Sequence, residues 1–138
     1  MSGTHDARCV MVIDPGLPPG VRANTAALLG ASLGRHVLDW IGPDIPDGAG
    51  SIHLGLFDRA ITILAAGPER IGELQKAAKE AQLTVVDFTT LAQRARTYGE
   101  YRASLASSAS DDIVYLGVAL FGDGQTVRSL TGSLALLR

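Results

Sequence analysis

The sequence predicts an α/β domain, a single-domain three-layer sandwich with a mixed, mostly parallel sheet of four or five strands and helices on both faces. Three observations predict it. Cys9 to Ile13 and Ile113 to Phe121 are apolar runs without the polar alternation of a half-exposed strand, as in central strands covered on both sides. Strand-like and helix-like segments alternate along the chain with no linker and no internal repeat. The chain has 138 residues, 46% hydrophobic and 19% charged, which suits one domain burying about two thirds of its unfolded surface.

Residues 1–7 are expected to form a flexible tail and residues 8–138 the domain. The polar stretch from Met1 to Arg8 lacks the apolar core of a signal peptide. The first strand is expected over Arg8 to Asp14. Pro15-Gly16-Leu17-Pro18-Pro19-Gly20 reads as a stiff loop. A helix rich in small residues follows over Val21 to Leu33, with Gly34 positioned to end it. Asp44 to Gly50 is a Pro/Gly/Asp loop. Ile52, Leu54 and Leu56 alternate within Ser51 to Phe57, the pattern of an edge strand, and Arg59 to Ala66 is a stronger strand. Pro68 and Glu69 open a helix whose buried stripe is Ile71, Leu74, Ala78 and Ala81. Leu83 to Phe88 is the next strand. Thr89 or Thr90 caps a helix running toward Leu105, with Leu91, Ala92, Ala95 and Tyr98 as its apolar face. After the strand Ile113 to Phe121, Gly122-Asp123-Gly124 makes a turn. A short helix starts near Gln125, and the apolar end is expected to be tied into the core or a partner.

Composition narrows the function. A net charge of -2 lacks the basic excess of a protein that grips nucleic acid non-specifically. Positive charge is carried by ten Arg against two Lys, which favours fixed, forked contacts. The single cysteine, Cys9, excludes an intramolecular disulfide and reads as a small core residue. No apolar run approaches the ~20 residues of a membrane helix, so a cytoplasmic protein without membrane attachment is expected. His5, His36 and His53 are scattered, and neither a metal nor a cofactor is expected. The chain has no phosphate-loop motif and no G-x-S-x-G elbow. Gly122-x-Gly124 has Val127 where a dinucleotide fingerprint needs a third glycine.

Three clusters carry the candidate chemistry. Asp14 ends the first strand where α/β folds commonly hold ligands, and Arg22, Asn24 and Thr25 sit in the helix that follows. Arg22 stands against the helix dipole, so it marks either an anion site or a plain surface residue. Asp87-Phe88-Thr89-Thr90 puts an acid and two hydroxyls at a strand's end, and the same residues serve as helix caps. Thr131-Gly132-Ser133 offers hydroxyl and backbone donors to an anion, or a simple turn. Arg94, Arg96 and Tyr98 form an arm over such a site. Arg94 and Arg96 are two apart and do not share one helical face.

Val127-Arg128-Ser129-Leu130-Thr131-Gly132-Ser133-Leu134-Ala135-Leu136-Leu137 resembles the V-T-G-H-L-K-L-L ending of the peptidyl-tRNA hydrolase II family. Cys9 to Asp14 with Leu17, Gly20 and the small-residue helix resembles that family's opening strand, loop and helix. Leu74 to Leu83 is similar to its middle helix. Asp87 falls on the acid of its D-A-G-x-T segment. Asp14 to Gly34 together with the Thr-Gly-Ser-Leu ending resembles, over the full chain, an uncharacterised bacterial family of this fold, the domain of unknown function numbered two thousand. The resemblance implies the peptidyl-tRNA hydrolase II fold and a homodimer. Against the hydrolase pattern A-Q-C-x-H-A, this chain has Asn24 for the glutamine and Ala27 for the histidine. Pro18 and Pro19 replace loop lysines, and Ser133 replaces a second histidine. Ala27 does no acid–base work.

Three readings of function follow. The first is a binding protein for a small anionic or nucleotide-like ligand, or a tRNA, at the first strand–helix mouth. Its ligand-binding residues are Asp14, Arg22, Asn24, Thr25, Thr90 and Ser133. The second is a hydrolase of an aminoacyl or peptidyl ester or amide, in which Asp87 positions water and Thr131 steadies the developing negative charge. The third is an interaction protein with no pocket function.

Overall fold

The computed structural model describes residues 6–138; His5 and most of the expected tail lie outside the described residues. Five consecutive side chains, Cys9 to Ile13, are buried within β1 (Ala7–Ile13), which is the centre of a five-stranded sheet. Their alternation sorts them onto two faces. Met11 and Ile13 pack with Leu29, and Val10 and Val12 pack with Ile71, Leu74 and Val127.

Along the chain, α1 (Pro19–His36) follows β1. Then come β2 (Ile45–Pro46), β3 (Ile52–His53), β4 (Thr62–Ala65) and α2 (Pro68–Glu80). Next are β5 (Thr84–Thr89), α3 (Thr90–Arg94), α4 (Tyr98–Ala106) and β6 (Tyr115–Asp123). The chain closes with α5 (Gly124–Thr131) and β7 (Ala135–Leu136). Helix α1 covers one face of the sheet, and α2 and α5 cover the other.

The sheet order is β5-β6-β1-β4-β7. It is mixed, as expected, but not mostly parallel. Among its four pairings between described strands only β1–β4 is parallel, while β1–β6, β5–β6 and β4–β7 are antiparallel. The reason lies in the connections. A parallel neighbour needs a crossover. Between β5 and β6 the chain instead folds out through α3 and α4 and returns to the edge it left, where Thr90 N donates to the Val114 carbonyl at 3.1 Å.

Three further expectations change. Helix α1 runs through Gly34 to His36 and stops at Val37, because the next residues form a tight turn that buries Trp40 against Phe57 and Phe121. The alternation of Ile52, Leu54 and Leu56 builds no edge of the main sheet. β2 and β3 form a separate hairpin, and Leu54 and Leu56 are 78% and 82% exposed. The helix expected to reach Leu105 is broken between α3 and α4. Thr97 Oγ1 accepts from Glu100 N at 3.1 Å as the N-cap, and Glu100 Oε2 accepts from Arg96 N at 2.8 Å, one residue ahead of the cap; together these bonds restart the helix.

Helix α1 approaches the sheet closely because of a glycine on the strand. A Cβ on Gly117 of β6 would lie 2.6 Å from Thr25 Cγ2. Among the described residues, no helix is long and apolar enough to cross a membrane.

Candidate functional site

β5 is the last strand in the sheet order, so among the described residues its outer edge has no strand partner. Two elements flank that edge. From α1 come Leu28, Ser32 and His36, spaced by four and therefore on one face of the helix. From the α3–α4 arm come Ala95, Arg96, Thr97, Tyr98 and Tyr101, carried there by the Thr97 cap where the chain turns. Val86 and Phe88 of β5 form the floor. Together they enclose a cleft of about 580 Å³ whose walls are largely apolar, with a few polar groups converging on it. Tyr98 and Tyr101 meet edge to face with ring centres 5.6 Å apart.

Asp87 also contributes to this cleft, but its carboxylate lies on the α2 side of β5, where Gln75 Nε2 donates to Oδ2 at a long 3.4 Å. Burial raises its pKa above the usual carboxylate value. The Gln75 hydrogen bond and the charge of Lys79 oppose that rise without cancelling it. Burial also raises the phenols of Tyr101 and Tyr115, helped by the negative charge of Asp87. Asp87 thus lies near enough to Tyr101 and Tyr115 for its charge to act on both phenols. Cys9 is buried in the core, and desolvation pushes its thiol up to about 11, so it is an inert packing residue.

The first strand–helix turn is built differently. Asp14 Oδ1 accepts from Gly16 N at 2.8 Å, which closes the turn. Arg22 Nη1 donates to the Arg138 carbonyl at 2.8 Å and so ties α1 to the β7 end of the chain; its Nε is buried without a hydrogen-bond partner. Thr25 is fully buried, and its hydroxyl donates to Val21 O at 2.7 Å. Asn24 is exposed. On the opposite face, Thr131 is buried and donates to Val127 O at 2.7 Å, with Ser133 exposed beyond it. Thr90 opens α3 with its N–H on Val114, and Thr89 supplies the cap, accepting from Ala92 N at 3.3 Å.

Of the expected arm, Arg96 and Tyr98 reach the cleft that Asp87 borders, and Arg94 does not line it. His36, Ser32, Tyr101 and Gln75 were not singled out from the sequence. Two spacings point to three of them: Leu28-x-x-x-Ser32-x-x-x-His36 and Tyr98-x-x-Tyr101 each share one helical face. Among the described residues, no three His, Cys, Asp or Glu side chains come together as metal ligands would.

The family described as "Protein of unknown function (DUF2000)" matches residues 7–138. Among solved structures, the chain is similar to Atu0240 of Agrobacterium tumefaciens strain C58, itself described as a protein of unknown function. The two are 20% identical, with a TM-score of 0.88, over 95% of this chain and 97% of that one. At that identity the likeness establishes a shared fold. No curated protein matches the chain.

Proposed function

The chain belongs to the DUF2000 family of unknown function, and we propose that it binds a small ligand with a planar ring and an anionic group in the cleft between α1, β5 and the α3–α4 arm. The observation that carries this reading is the composition of the cleft. It has an apolar floor of Val86 and Phe88 and an aromatic pair, Tyr98 and Tyr101. Arg96 and His36 are the groups able to meet negative charge. At the first strand–helix turn, in contrast, the carboxylate of Asp14 and the hydroxyl of Thr25 are engaged within their own backbone. We therefore propose this position, further along α1 than the first strand–helix mouth, for an anionic or nucleotide-like ligand.

The test uses adenosine 5′-monophosphate and benzoate as probes in amide chemical-shift mapping. Shifts are expected at residues 85–88 and 95–101, with affinity falling about tenfold in Arg96→Ala and in Tyr101→Ala. Shifts clustered instead at residues 14–25 and 131–133, or no shifts with either probe, would overturn the reading.

A second reading, hydrolysis of an aminoacyl or peptidyl ester, is favoured by the raised pKa of Asp87, which suits a proton-transferring carboxyl group. It requires turnover of such an ester that is lost in Asp87→Asn while the fold is kept. The peptidyl-tRNA hydrolase II description of the fold, the homodimer and the cytoplasmic setting rest on the resemblance and composition described above. Light scattering at twice the monomer mass is the expected sign of the dimer.

A further inference from the structure

A second cavity, sharing no lining residue with the first, opens at the start of β1 and β4. Its volume is about 390 Å³ and its character is opposite, polar and cationic. Arg8 of β1, Arg59 ahead of β4 and Arg128 of α5 all line it, three of the twelve Lys and Arg residues in a chain whose net charge is negative.

Each arginine is held by the fold. Arg8 lies on the α5 face of β1, and its Cγ passes 3.4 Å from where a Cβ on Gly124 would sit, so its stem packs on the first residue of α5. Arg128 is four residues further along α5, one turn up the same helical face. Arg59 is braced from below, with its guanidinium 4.4 Å from the centre of the Trp40 ring and Nε 3.7 Å from Asp58. Among the described residues that line it, the three arginines stand with one carboxylate, Asp6, and Asp58 lies against Arg59. The Thr62 hydroxyl adds a neutral donor on the wall, and Val10 and Ala60 supply a small apolar surface.

The geometry points to an oxyanion site, and we assign it to a phosphate monoester. Guanidinium forks match the oxygens of a tetrahedral oxyanion. The volume exceeds that of one phosphate group, and the apolar wall leaves room for a short organic stem. Trp40 links the site to the core. It is buried against Phe57 and Phe121 and at the same time stacks under Arg59, so the position of one wall of the site is set by core packing.

The experiment is isothermal titration of the full chain with inorganic phosphate, glycerol 3-phosphate and dimethyl phosphate at constant ionic strength. Saturable binding of phosphate and tighter binding of glycerol 3-phosphate are expected. Dimethyl phosphate, a diester of single charge, is expected to bind about tenfold more weakly. Arg8→Gln and Arg128→Gln, both at exposed positions, are each expected to lose about tenfold in affinity with unchanged melting temperature. Arg35→Gln, outside the cavity, is expected to bind as the parent does. Loss of affinity in Arg35→Gln equal to that in Arg8→Gln would reduce the effect to overall charge and overturn the site. So would a non-saturable heat with every probe, or equal binding of the diester. Failure here leaves the β5-edge cleft unaffected, because the two sites share no residue.

Discussion

The turn between β1 and α1 and the edge of β5 are both rich in polar residues, yet the molecule uses them in opposite ways. At the turn, Asp14 closes its own loop, Thr25 bonds back to Val21, and Arg22 reaches Arg138. These groups hold the backbone, with the buried Arg22 Nε alone among them left without a hydrogen-bond partner. At the β5 edge, Asp87 has one long hydrogen bond and a pKa raised by burial, while Tyr98 is 73% exposed beside an open cleft. These groups are left with capacity. The difference teaches that a polar residue marks a site through its unused hydrogen bonding and its strained protonation, more than through its type or its place at the end of a strand.

The largest expected effect tests the structural half of this contrast. Gly117→Ala drives a methyl group to 2.6 Å from Thr25 Cγ2 and 3.3 Å from Leu29 Cδ1, so α1 must lift from the sheet. A loss of about 2 kcal/mol is expected in urea unfolding. A change under about 0.5 kcal/mol, the size of a surface substitution, would mean that the contact is not tight and that Thr25 is freer than it looks.

A smaller effect probes the arm that shapes the cleft. Thr97→Ala removes the acceptor for Glu100 N and is expected to cost about 1 kcal/mol of local stability in α4. Amide exchange in residues 98–101 should quicken while exchange in β1 is unchanged. Equal quickening in both would mean that the arm and the core open as one unit.

The smallest effect lies in the pH dependence of stability at Asp87. The folded-state pKa of Asp87 is raised above its ordinary 3.8, so the folded chain holds that proton more tightly than the unfolded chain does. The stability from this group is fully present below the ordinary pKa and is lost as pH rises through the folded-state pKa. Asp87→Asn, which never ionises, is therefore expected to melt above the parent at pH 7 and level with it near pH 3. A variant that melts below the parent at pH 7 would mean that the ionised carboxylate is held by favourable partners, and the contrast between the two regions would fail.

Much of this was legible in the residues. The unbroken run from Cys9 to Ile13 announced a strand covered on both faces, and Pro68-Glu69 with Ile71, Leu74 and Ala78 announced α2 and most of its buried stripe; Ala81, expected to complete the stripe, is the exposed C-cap, and Gln75 is buried in its stead. The break between α3 and α4 was written in Thr97-x-x-Glu100, a signal that a longer apolar pattern masked. The exposed hairpin was not legible, because the alternation of Ile52, Leu54 and Leu56 is the same whether or not another layer covers it.

Local interactions span a few residues, and so the sequence by itself determined the α/β class, most element positions, the inert Cys9 and the helix start at Pro68, while α1 begins at Pro19, two residues before the expected Val21. Tertiary structure alone decided the rest. It decided that β6 runs antiparallel between β5 and β1, that Gly117 admits Thr25, and that Arg8, Arg59 and Arg128 share one cavity. It also decided which polar groups are already satisfied. Each of these depends on contacts between residues far apart in the chain, whose strength is set by how whole layers pack and not by the identity of any neighbour in sequence.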